Sequence, residues 1–179
     1  VYSRNDGLQN QNVLLVADTL KAEPRVLLDP NTLSKDGTVA LAGTSFTDDG
    51  SLMAYGIAEA GSDWNIWKVK DVATGKGRPD EIRWVKFGGP SWTIDNKGFF
   101  YSRFDEPKEG DSLRGDNKFQ MIYYHTLGTP QSADKLTYHR DDQPEWYMAG
   151  GVTEVGDYFV ISIGPGDKVQ NGIFYKDLT

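Results

Sequence analysis

The sequence holds no cysteine among its 179 residues. Disulfide staples, thiolate nucleophiles and cysteine metal sites are therefore excluded, but the compartment is not fixed, because a secreted protein can also lack cysteine. No run approaches the ~18 consecutive apolar residues of a membrane-spanning helix, so no membrane partner is expected. The opening Val1-Tyr2-Ser3-Arg4-Asn5-Asp6-Gly7 has no signal-peptide character, and any leader of a parent polypeptide is expected outside this chain. Positive charge is scarce as well: 19 Lys and Arg against 26 Asp and Glu leave a formal net charge of -7, with no basic cluster. Phosphate backbones need a basic face, so the composition argues against nucleic acid as a partner and the acidic surface reads as solvation. Two histidines are present, His125 and His139, and neither has a second ligand nearby in sequence. Both read as structural, and no metal or other cofactor is expected.

Turn formers and flat or branched side chains are what the chain has in quantity. Twenty Gly and eight Pro, with aromatics at 12% of residues, favour strands and turns over helices. One hairpin unit recurs, running from Gly89 through Trp92-Thr93-Ile94-Asp95-Asn96-Lys97-Gly98 to Arg103. It recurs upstream from Gly43 to Gly56 and downstream from Ala149 to Ser162. Each copy is a small residue, an apolar residue, Thr, an acidic turn and an apolar strand, and the Asn or Gly in the turn tolerates positive φ.

Around these hairpins the chain divides into units at approximately 1–30, 39–87, 88–139 and 149–179, with three, four, four and three expected strands. The fourth strand of the second unit is read as Glu81 to Phe87, that of the third as Asp134 to His139, and the inner strand of the last as Ala149 to Thr153. A polar insertion, Asp105 to Asp116, reads as a surface loop. Val13, Ile66, Ile122 and Ile173 fall in register on the third strands, a period of roughly fifty residues. Four strands per such period is the arithmetic of an all-β fold, a β-propeller of four-stranded antiparallel blades. This chain would supply about three and a half blades, short of the roughly four to eight that close a ring, so it reads as a propeller segment. A two-sheet sandwich would not explain the repeated units.

Catalytic chemistry finds little support in these residues. A hydrolase nucleophile elbow needs G-x-S-x-G, and Gly43-Thr44-Ser45-Phe46-Thr47 and Gly89-Pro90-Ser91-Trp92-Thr93 match only its first half, each followed by a hairpin instead of a helix. Ser45 and Ser91 therefore read as packing residues of the innermost strands. Asp48-Asp49-Gly50 and Asp95-Asn96-Lys97-Gly98 lack the ligand spacing of a calcium loop and read as turns. The carboxylates Asp141, Asp142 and Glu145 could in principle form a glycosidase pair, but solubility is the favoured role.

The order and spacing of Leu28-Asp29-Pro30-Asn31, Ala60-Gly61-Ser62-Asp63-Trp64, Arg83-Trp84-Val85-Lys86-Phe87 and Tyr123-Tyr124-His125-Thr126-Leu127-Gly128-Thr129 resemble the propeller of the prolyl oligopeptidases over nearly the whole chain. These are serine peptidases that cut short peptides after proline. The resemblance implies a seven-bladed propeller that caps an α/β-hydrolase domain with a Ser-Asp-His triad, a domain absent from this chain, and that excludes large folded substrates. It implies as partners that catalytic domain, the remaining blades and short proline-containing peptides, in the cytoplasm or alternatively the periplasm. It also implies a pocket-lining role for Phe87 and for the residue after Trp146, where either Tyr147 or Met148 fits. Where family members carry a Cys beyond the Val-Lys-Phe strand, Gly88 and Gly89 stand here. The alternative is a stand-alone propeller scaffold with the Asp105 to Asp116 loop as its contact surface. On either reading no catalytic residue is expected, and the purified chain should not hydrolyse a proline-containing peptide; turnover that survives removal of any parent enzyme would contradict this.

Overall fold

Turn chemistry decides where the hairpin strands stop. Gly50 and Gly156 take φ of 69° and 83°, and Asn96 takes 56°, left-handed values that Gly and Asn tolerate at least steric cost. A Thr–Asp pair closes two of these turns, Thr47 Oγ1 donating to Asp49 and Thr93 Oγ1 to Asp95, each at 2.8 Å. The computed structural model describes residues 1–59, 61–108, 117–166 and 170–179; residues 109–116 of the expected loop lie outside that set.

Four antiparallel sheets follow in chain order. The first contains β1 (Tyr2–Arg4), β2 (Val13–Val16) and β3 (Arg25–Leu28), and the second β4 (Val39–Phe46), β5 (Leu52–Glu59), β6 (Asn65–Asp71) and β7 (Gly77–Val85). The third contains β8 (Ser91–Trp92), β9 (Gly98–Arg103), β10 (Met121–Thr126) and β11 (Lys135–Tyr138), and the fourth β12 (Trp146–Val152), β13 (Tyr158–Pro165) and β14 (Gly172–Asp177). Val13, Ile66, Ile122 and Ile173 lie in β2, β6, β10 and β14. The fold is all-β, with blade-like sheets of consecutive strands.

The core lies between sheets, because alternate residues of one strand point to opposite neighbours. In β9, Phe99 and Tyr101 pack on Leu52, Ala54 and Trp67 of the second sheet. Phe100 turns the other way, onto Met148, Phe159 and Ile161 of the fourth. Met53 of β5 meets Val16, Leu27 and Leu28 of the first sheet. Each hydrophobic cluster is thus a seam between two blades.

Strand direction sorts the loops. The β7–β8 and β11–β12 crossovers share one end, and the β4–β5 and β8–β9 turns share the other, where Asn96 Nδ2 donates to Asp49 Oδ2 at 2.8 Å. Two strands differ from expectation. β7 covers Gly77–Val85, with Trp84 at φ of 65° inside it, and stops short of Phe87, which takes φ of 56°. β12 begins at Trp146, three residues before the expected start, and runs through Gly150, where a Cβ would collide with the Phe159 ring, so Gly makes room for the aromatic.

Candidate functional site

Phe87 sits on the β7–β8 crossover, held from both sides. Before it, Lys86 is buried and its ammonium lies 4.2 Å from the centroid of Trp64, a cation–π contact. Trp64 meets the Trp84 and Phe104 rings edge-on at 5.8 and 6.1 Å, and Phe104 N–H donates to the Trp84 carbonyl at 3.0 Å. After it, Gly89 lies against Trp67 so closely that a Cβ would stand 2.7 Å from two ring atoms. The crossover cannot relax, and Phe87 is left 59% exposed at positive φ. Non-glycine residues in that region cost of order 1–3 kcal/mol, a strain more common at functional sites than elsewhere.

The exposed ring is not alone. Tyr147 of β12 meets Phe87 edge-on at 5.7 Å, while Met148, one residue on, points to the opposite face and is 2% exposed in the seam with Phe100 and Phe159. Phe87, Tyr147 and Met148 all border a cleft of about 520 Å³, closed on its other side by Ile163, Gly164 and Pro165 of β13. None of its described lining residues is charged. Such a cleft suits a neutral, apolar group offering hydrogen-bond acceptors.

Comparison with known proteins agrees with the all-β, blade-like fold. The description "Prolyl oligopeptidase, N-terminal beta-propeller domain" matches over residues 1–179. The prolyl endopeptidase of Elizabethkingia meningoseptica is 42% identical over 177 residues, covering 99% of this chain and 25% of the relative. The chain belongs to the prolyl oligopeptidase family. Prolyl oligopeptidase A of Galerina marginata (strain CBS 339.88) is 38% identical over 162 residues, covering 82% of this chain and 22% of that protein. A solved structure from a study of two prolyl endopeptidases superposes with a TM-score of 0.86 at 39% identity, covering 99% of this chain and 25% of the other. Prolyl oligopeptidase B from Galerina marginata, bound to a 35mer hydrolysis and macrocyclization substrate, superposes at 0.88 with 28% identity, covering 99% and 27%. The chain thus spans about a quarter of the length of these relatives.

This prolyl oligopeptidase propeller also contains a buried ionic group that sequence reasoning missed. His125 of β10 is fully buried, its Nδ1 2.7 Å from Asp134 Oδ1 and its Nε2 3.1 Å from Asp80 Oδ1 of β7. Burial pulls the imidazole pKa down, but the hydrogen bonds and charges of Asp134 and Asp80 more than reverse this and raise it to about 9. Burial likewise pushes the Asp80 carboxyl up, and the bonds from His125 and the Gly128 amide outweigh it, holding the group below the usual carboxylate range. Tyr101 Oη donates to Asp134 Oδ2 at 2.7 Å, and Arg78 Nε stands 3.7 Å from Asp80 Oδ2. Both imidazole nitrogens are spent on carboxylates, so His125 is no general base for a hydroxyl nucleophile. It joins the second and third sheets.

The remaining candidates have structural partners. Ser91 Oγ accepts the Val152 N–H at 2.9 Å and so ties two inner strands together, and the backbone carbonyl of Ser45 accepts Trp92 Nε1 at 3.2 Å. Asp141 lies 3.2 Å from His139 Nδ1, Asp142 accepts two bonds from Arg140, and Glu145 pairs with Lys118 at 3.6 Å. Among the described residues, no group of three His, Asp or Glu could hold a metal.

Proposed function

We propose that this propeller segment serves a prolyl endopeptidase, in which it lines the far end of the substrate pocket and, with the remaining blades, restricts entry to the cavity above an α/β-hydrolase domain. The observation that carries the pocket role is the aromatic cleft, uncharged among its described lining residues, in which an exposed Phe87, held at positive φ, meets Tyr147 edge-on. Its substrate would be a short peptide placing an apolar side chain two positions before the proline. The relative with a bound 35mer substrate supports a peptide as the ligand class. Tyr147 takes the pocket role and Met148 the core role, since the former is 38% exposed and the latter 2%.

Phe87→Ala in the full-length protein tests this. Because the side chain is mostly exposed, stability should move by no more than about 1 kcal/mol. The loss should fall on kcat/KM for peptides with a bulky apolar residue two positions before proline, by about 1 to 3 kcal/mol, while a minimal proline substrate is cut normally. Equal losses on both substrates, or a large drop in melting temperature without kinetic change, would remove Phe87 from the site.

A further inference from the structure

Gln120 stands two residues before Ile122 of β10, and Gln11 stands two residues before Val13 of β2. The two glutamines occupy the same place in their units, each facing the inner strand of the next sheet. Gln11 spends both ends of its carboxamide there, accepting from the Leu41 N–H at 2.9 Å and donating from Nε2 to the Val39 carbonyl at 2.8 Å. Gln120 makes only the first of these contacts. Its Oε1 accepts the Met148 N–H at 2.6 Å, and its Nε2 has no hydrogen-bond partner among the described residues.

That donor is neither sealed in nor free to turn away. The side chain is 2% exposed, yet the buried polar atoms without a partner among the described residues are Trp67 Nε1 and Asp80 Oδ2. Gln120 also lines the cleft bordered by Phe87 and Tyr147. Flipping the amide would set an N–H against the Met148 N–H and leave both donors unpaired, so the orientation is fixed by the backbone. A buried amide donor without a partner among the described residues calls for a hydrogen-bond acceptor.

We propose that Gln120 is a specificity-determining residue of the cleft, its Nε2 donating to a backbone carbonyl of an extended peptide whose apolar side chain rests against Phe87 and Tyr147. This rests on the pocket role proposed above and adds a polar contact to it. An apolar contact grades side chains by size, whereas a fixed donor requires a carbonyl at one position along the peptide.

The test uses the full-length protein and two peptides that differ at one bond: the peptide unit following the residue two positions before proline, either intact or replaced by a trans-alkene isostere. Gln120→Glu keeps the acceptor for Met148 N–H and removes the donor when ionised; Gln120→Met has no donor in any protonation state. Wild type should prefer the intact peptide by about three- to tenfold in kcat/KM beyond the preference of either variant, the worth of one neutral hydrogen bond. All three should cut a minimal proline substrate alike. Equal preference in wild type and both variants would overturn the assignment. Phe87→Ala separates the two proposals: if it weakens long peptides while the Gln120 variants keep the wild-type preference, Gln120 alone is wrong. If Phe87→Ala is also without effect on long peptides, the cleft is not a subsite and both proposals fall.

Discussion

Replacing His125 by Ala is expected to destabilise the fold by about 3 to 5 kcal/mol, because it leaves the Asp80 and Asp134 carboxylates buried without their shared cation. The side chains of His125, Asp80 and Asp134 are 0%, 0% and 1% exposed, so water cannot take over. Asp134→Asn should cost less, since the amide can still meet the imidazole and Tyr101. The pH dependence follows from the same geometry. A histidine whose folded pKa lies above its unfolded value contributes stability that is fully present below the unfolded pKa and is lost as pH rises through the folded one. With 6.5 as the ordinary value and about 9 in the fold, the loss runs from roughly pH 6.5 to 9 and amounts to about 3 kcal/mol. Denaturant unfolding across that range should show the decline in the wild-type protein, and His125→Ala should flatten it. A wild-type profile that is level from pH 6.5 to 9 would mean that the imidazole is not held as a cation.

The blade pattern was legible because it is local. Turn residues with positive φ and strand alternation lie within single hairpins, and Val13, Ile66, Ile122 and Ile173 repeat at nearly even spacing, one in each sheet. The seam contacts were not legible, because they join residues far apart in the chain. Asp80 is 45 residues from His125 and precedes the strand expected at Glu81 to Phe87, although it lies within β7. Tyr147 and Met148 could not be separated from sequence, since a slip of one residue in the pairing register of a strand exchanges its two faces. The observed register, with Met148 opposite Ile163 of β13, sends Met148 to the core. Gln120 did leave a signal, its equivalence to Gln11 once the third strands are aligned, although nothing in the sequence says that one amide is fully paired and the other is not.

Phe159→Ala is expected to cost about 3 to 5 kcal/mol, the loss typical of a large aromatic removed from a core that cannot collapse around the gap. Phe159 is 1% exposed and stacks on Phe100 with centroids 4.0 Å apart and planes 15° from parallel. Its opposite edge fills the space where Gly150 would otherwise carry a side chain. The ring is therefore wedged between two strands of different blades, β9 and β12, and neither can close on the cavity without moving its sheet. Phe174 of β14, 41% exposed, provides the control and should lose under about 1 kcal/mol on the same truncation. Gly150→Ala should be destabilising alone, since the new methyl meets a ring that the Phe100 stack prevents from retreating. Joined to Phe159→Leu, the Gly150 change should cost measurably less than the sum of the two single losses, because the smaller side chain vacates the space that the methyl needs. Strict additivity of the pair, or a Phe159→Ala loss no greater than that of Phe174→Ala, would show that this ring does not hold the third and fourth blades together.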